Sequence, residues 1–139
     1  MQLSQFIRQT MKKILTNILL CSFVLLCTSC FEEVDLGYPY HVIFPKEGGE
    51  QIITGDESYV SIEITNYDGD TGFSSENEDG TEYDEFEWLK VESKYNSNEL
   101  KIYAEPNTSG KSRKLYITIY SDPEYQEIQV MQKNYVKIW

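Results

Sequence analysis

Residues 113–132, RKLYITIYSDPEYQEIQVMQ, decide the fold. Leu115, Ile117 and Ile119 alternate with Tyr116, Thr118 and Tyr120, and Ile128, Val130 and Gln132 alternate with Gln129 and Met131. Successive side chains of a β-strand point to opposite faces, so each run predicts a strand with one apolar and one polar side. Residues 121–124 between the runs contain Asp-Pro and read as a turn. Outward from this pair the same period recurs. Val60, Ile62 and Ile64 alternate with Tyr59, Ser61, Glu63 and Thr65, and Leu100, Ile102 and Ala104 alternate with Lys101, Tyr103 and Glu105. Shorter candidates cover 41–44, 51–54 and 87–92, with turn residues at 46–49, 94–98 and 106–110. No helical apolar period persists beyond residue 30. About seven short strands separated by turns predict an all-β, antiparallel sandwich with one polar face per sheet.

The first thirty residues follow different rules. Lys12 and Lys13 precede an apolar run of 13 residues, 14–26, and small polar residues lead into Cys30. As a helix this run spans about 20 Å, short of the roughly 30 Å hydrocarbon core, so it predicts an export signal rather than a permanent span. Residues 1–29 are therefore expected to be a lipoprotein signal peptide, with Met11 as an alternative start. Leu26-Cys27-Thr28-Ser29-Cys30 resembles the lipobox of bacterial lipoproteins, which implies a lipidated Cys30 carrying acyl chains such as palmitate. Several such chains make membrane attachment stable. Residues 30–38 are expected to be a lipidated tether ahead of a domain at 39–139. The acidic residues Glu32, Glu33 and Asp35 resemble the signal that carries Bacteroidetes lipoproteins to the outer face of the outer membrane. The other reading of them is a solvated tether.

From Cys30 onward there are 110 residues, nine Lys and Arg, and 23 Asp and Glu, a net charge of −14. Nucleic acid is thereby excluded as an expected partner, because phosphate binding needs clustered base. Cys21 and Cys27 leave with the signal and Cys30 is the lipid acceptor, so no thiol is left for a disulfide, a zinc site or a nucleophile. The sole histidine, His41, has no catalytic partner in any recognisable spacing, and an enzyme is not expected.

Residues 67–85 break the strand rhythm with Asp, Glu, Gly, Ser and Asn, and read as a long, mobile acidic loop. Asp68 and Asp70, followed by Glu76 and Asp79, begin like a calcium loop. The EF-hand pattern fails at its fifth, sixth and twelfth positions, which are Gly72, Phe73 and Asp79. A looser calcium site through these four carboxylates stands beside the plainer reading of a solvated loop. Otherwise no cofactor is expected. Tyr59, Tyr103, Tyr116 and Tyr120 fall on the polar side of their strands, with Trp88 near the same alternation. Flat aromatic surfaces stack on sugar rings, so these five are candidate glycan contacts. The same tyrosines equally suit cross-strand pairing on a solvated face, and Trp88 equally suits the core.

Five features in order resemble the BACON domain, a Bacteroidetes-associated carbohydrate-binding module that is often N-terminal. Phe44 precedes Gly48-Gly49, a strand ends in Thr65-Asn66, and Trp88-Leu89-Lys90-Val91 is similar to the family's Trp-Leu-x-Val strand. Asn107-Thr108-Ser109-Gly110 with Arg113 resembles its turn and arginine. Ile128-Gln129-Val130-Met131-Gln132 resembles its closing strand. The resemblance implies an immunoglobulin-like β-sandwich and a non-catalytic role. That role is contact with glycans or glycoproteins, or assembly with neighbouring glycan-processing lipoproteins at the cell surface. The alternative is a structural spacer or protein-interaction module without a sugar ligand. Residues 136–139 either continue the last strand or pair with another chain.

Overall fold

Two sheets close on one another through the apolar sides of the strands. The computed structural model describes residues 2–25 and 32–135. Cys30, the rest of the lipobox-like sequence and residues 136–139 lie outside them. The chain divides into two compact units, Met1–Cys30 and Phe31–Trp139. The first contains helix α1, Gln2–Leu25, with Leu3, Phe6, Ile7, Met11, Ile14, Leu15 and Ile18 exposed. No helix among the described residues is long and apolar enough to cross a membrane.

The second unit contains β1 (Glu32–Glu33), β2 (His41–Phe44), β3 (Gly49–Thr54), β4 (Ser61–Thr65) and β5 (Phe73–Glu76). It continues with β6 (Thr81–Phe86), β7 (Leu89–Lys94), β8 (Glu99–Ala104), β9 (Arg113–Ser121) and β10 (Glu124–Gln132). In sheet I, β10 pairs with β9 and β9 with β4, while β1 and β2 both lie parallel to β10 on its other side. Sheet II has the order β3-β8-β7-β6-β5, antiparallel throughout. Ile62, Ile64, Leu115, Ile117, Ile119, Ile128 and Val130 of sheet I and Leu89, Val91, Leu100, Ile102 and Ala104 of sheet II share one buried cluster. Burying each of the Val, Leu and Ile side chains among them contributes about 1.5–3 kcal/mol. The result is the all-β sandwich that the alternation predicts, and the 121–124 turn joins β9 to β10 as expected.

Three strands exceed the expected seven. Two, β5 and β6, occupy the stretch read as a loop at 67–85, which is instead largely a hairpin closed by Asn77–Gly80. Its sequence hides the strands because β5 is exposed at all four positions and the buried position of β6 is Asp84. Asp84 is tolerated inside because its carboxyl accepts from Ile64 N–H and from the Ser74 hydroxyl, the latter at 3.0 Å.

The third is β1, and it revises the tether reading. Val34 N–H donates to Tyr125 O at 2.8 Å, and Leu36 and Tyr38 are buried at 2% exposure each. The residues between β1 and β2 leave the edge of β10 without a partner strand, and buried Gln126 fills the gap. Its Oε1 accepts from Leu36 N–H at 2.8 Å and Tyr38 N–H at 3.3 Å, and its Nε2 donates to Tyr38 O at 2.7 Å. From Glu32 onward the expected tether is thus part of the sandwich, held by the β1 ladder, the Val34–Tyr125 bond and the Gln126 amide.

Candidate functional site

The five predicted aromatic contacts do not come together. Tyr59 precedes β4 and turns inward at 2% exposure. Its hydroxyl receives Lys94 N–H at 2.9 Å and lies 3.2 Å from Lys94 O, and burial pushes its pKa up. Trp88 is likewise buried, at 4% exposure. Tyr116 and Tyr120 occupy the outer face of sheet I, while Tyr103 stands on the outer face of sheet II, across the sandwich.

The residues that carry the family resemblance form a structural knot. The Arg113 guanidinium lies 4.7 Å from the Trp88 ring centroid, and its Nε donates to Gln132 Oε1 at 2.8 Å. Gln132, fully buried, donates through Nε2 to Glu105 O at 2.7 Å and Pro45 O at 3.1 Å. Asn107, also buried, donates to Lys111 O at 2.7 Å and Lys133 O at 3.2 Å and accepts the Ser109 hydroxyl at 2.7 Å. Desolvation lowers the Arg113 pKa, as expected of a guanidinium drawn into such a network. These side chains satisfy main-chain groups where loops meet strand ends, and the arrangement has the character of architecture rather than of a ligand pocket.

The candidate calcium ligands are dispersed along one edge. Asn66 Oδ1 accepts from Asp68 N–H and Asp70 N–H at 2.9 Å each, which makes an Asx turn of that segment. Glu76 ends β5, and Asp79 accepts Thr81 N–H at 3.1 Å in the following turn, a bond that lowers its pKa. Among the described residues no three His, Cys, Asp or Glu side chains are placed to hold a metal ion. His41 is exposed on β2.

On the outer face of sheet II the register aligns two rows across all five strands. Phe73, Glu85, Lys90, Tyr103 and Glu50 form one row, and Ser75, Tyr83, Glu92, Lys101 and Ile52 form the next. Phe73 is 73% exposed and Tyr103 46%, with three strand spacings between them, about 14 Å. Lys90 Nζ lies 4.6 Å from the Tyr83 ring centroid, a cation–π contact, and Lys101 Nζ lies 3.4 Å from Glu50 Oε2. Two shallow depressions share Lys90. One, of about 370 Å³, is lined by Phe73, Ser75, Asn77, Tyr83 and Glu85, and the other, of about 260 Å³, by Glu50, Glu92, Lys101 and Tyr103. The face thus offers exposed rings beside carboxylates and ammonium groups. Of its aromatics only Tyr103 belongs to the five candidates that the sequence offers. Phe73 and Tyr83 are hidden in the sequence because the acidic stretch 67–85 reads as loop, and Lys90 and Lys101 join the face only through strand register.

The outer face of sheet I is more self-contained. The Tyr120 hydroxyl donates to Glu63 Oε2 at 3.2 Å, and its ring lies 6.4 Å from that of Tyr125. Burial raises the Tyr120 pKa, and burial followed by the charge of Glu33 raises that of Glu127.

Fold and exposed face together define a β-sandwich module. Residues 74–133 match the model of the BACON family, described as "Putative binding domain, N-terminal". The matched segment is narrower than the span from Phe44 to Gln132 that carries the sequence resemblance, and it contains Trp88, Asn107, Arg113 and Gln132. Among solved structures, the chain is similar to the "NMR structure of the protein from Bacteroides thetaiotaomicron". The two are 18% identical, with 70% of this chain and 82% of that one covered at a TM-score of 0.51. That likeness shows the fold. No curated protein matches the chain.

Proposed function

We propose that this chain is a lipid-anchored, non-catalytic binding protein of the bacterial outer membrane. In this reading the outer face of sheet II contacts glycans or glycoproteins at the cell surface. One observation carries the reading: Phe73, Tyr83 and Tyr103 are gathered on one face around Lys90, with Glu50, Glu85, Glu92 and Lys101 beside them. Rings of this kind stack on the apolar face of a pyranose while charged and amide groups bond its hydroxyls. A lipidated Cys30 supplies the membrane attachment, and neighbouring glycan-processing lipoproteins are the proposed protein partners. A glycan array probed with the full-length chain in detergent tests the binding claim. Phe73→Ala and Tyr103→Ala are expected to abolish the array signal without lowering Tm, whereas Tyr116→Ala leaves the signal intact. A Cys30→Ala chain, processed normally, is expected to leave the membrane fraction.

The spacer reading has its own support in the knot around Gln132. The side chains that mark the family resemblance are occupied in holding strand ends together, as a module selected for rigidity requires. An array without signal, while the folded chain still retains its membrane attachment, favours that reading.

A further inference from the structure

Sheet I ends at β4 and sheet II ends at β5, and the chain passes from one edge to the other between Thr65 and Phe73. The edges touch where Thr65 bridges Thr71, beside Asn66 N–H donating to Asp70 O at 3.1 Å. Gly72 suits this crossing, because a Cβ there would collide with Glu85 O. Beyond it the two edges part, β5 pairing with β6 and β4 remaining with β9. A cleft of about 320 Å³ opens in the fork. Ser61 and Ile62 line it from β4, and Ser74, Ser75, Glu76, Glu82, Tyr83 and Asp84 line it from the hairpin.

Main-chain groups point into this fork. In the hairpin Asn77 N–H donates to Thr81 O at 2.8 Å. Antiparallel ladders alternate between residue pairs that exchange hydrogen bonds and pairs that do not. Counting back from Asn77, the bonded pairs are Ser75 with Tyr83 and Phe73 with Glu85, so N–H and C=O of Ser74 and Glu76 face away from β6. On β4 the outward N–H of Ile64 is taken by Asp84, and Ile62, two residues earlier, shares its orientation. Among the described residues no strand pairs with β5 on that side. All four residues of β5 are exposed.

Charge selects the occupant. The ionisable acids lining the cleft are Glu76, Glu82 and Asp84, with no Lys or Arg among the lining residues. Indeed the chain has none between Lys46 and Lys90, an interval that holds fourteen carboxylates. A second copy pairing edge to edge would set these acids against themselves, which like-charge repulsion opposes. The geometry points to the fork as a docking site for an extended, Lys- or Arg-bearing segment of another protein. That segment adds to the β5 edge through the main chain of Ser74 and Glu76 and places its cations against Glu76 and Glu82. The site borders the proposed glycan face through Ser75 and Tyr83, and it rests on separate observations, the unpaired main chain of β5 and the charge around it.

The test uses the full-length chain in detergent with two fluorescent hexapeptides, one alternating Lys and Val and the other alternating Glu and Val. The Lys peptide is expected to bind and to slow amide exchange at Ser74 and Glu76, while the Glu peptide does not bind. Glu76→Pro removes an edge N–H and a charge together, and is expected to weaken binding about tenfold, the combined weight of one hydrogen bond and one screened ion pair. Because that N–H faces away from β6, the substitution leaves Tm near wild type. Equal binding of both peptides overturns the proposal, as does Lys-peptide binding without amide protection, or a dimer that protects the same amides.

Discussion

Arg113 Nε stands 2.8 Å from Gln132 Oε1, and around this contact the first residue of β9 and the last of β10 are tied to the β2–β3 and β8–β9 connections. The Gln132 amide gives its protons to the carbonyls of Glu105 and Pro45, while the guanidinium reaches Glu105 O at 3.1 Å and covers Trp88. Removing Gln132 leaves several buried groups without partners at once. Gln132→Ala is therefore expected to cost about 3 kcal/mol. Urea denaturation reads this as a lower midpoint at unchanged slope; a change below about 0.5 kcal/mol would show the knot to be dispensable.

Tyr59 makes a separate claim, because the sequence places it on a wet face and the structure places it in the core. Tyr59→Phe keeps the ring but deprives Lys94 N–H of its acceptor, with an expected loss of about 1–2 kcal/mol. Glycan binding should be unaffected, since the ring does not reach the outer face of sheet II. Paired denaturation and array measurements on this variant check both statements.

Asp84 holds the two sheets at the fork by accepting Ile64 N–H across the sandwich. Asp84→Ala strands that donor and the Ser74 hydroxyl, for an expected cost of about 2–3 kcal/mol. Amide exchange should accelerate first at Ile64.

Alkaline pH should loosen the segment that follows Glu33. Burial first, and the neighbouring Tyr59 second, push the Tyr38 hydroxyl from its ordinary 10.0 up to about 12. A neutral phenol favoured by the folded state contributes stability that is intact below pH 10 and lost as pH rises from 10 towards 12. The unfolding midpoint is expected to fall across that window. In Tyr38→Phe, which lacks the titrating hydroxyl, the fall should be smaller and the ultraviolet titration should lose its latest-ionising tyrosine.

The strands legible in the sequence are those whose inward residues are aliphatic. Leu100, Ile102 and Ala104, Leu115, Ile117 and Ile119, and Ile128 and Val130 all lie where alternation puts them. Legibility ends where a polar side chain does the work of the core. Asp84 and Gln126 are buried because their hydrogen bonds replace a missing strand or bridge two sheets, and no periodicity announces such partners. The proposed site was obscure for a related reason. Tyr103, Lys90 and Phe73 are neighbours only through cross-strand register, and register depends on hairpins that the acidic sequence concealed.

The parallel pairing of β1 with β10 also determines how the sandwich meets a mechanical load. A pull on the chain ahead of Glu32, directed along the strand, loads the β1 ladder, the Val34–Tyr125 bond and the Gln126 amide contacts in shear. Bonds loaded in parallel share the force, whereas a hairpin peeled from its end yields one bond at a time. The two residues of β1 thus act as a strain relief between the chain ahead of them and the sandwich behind.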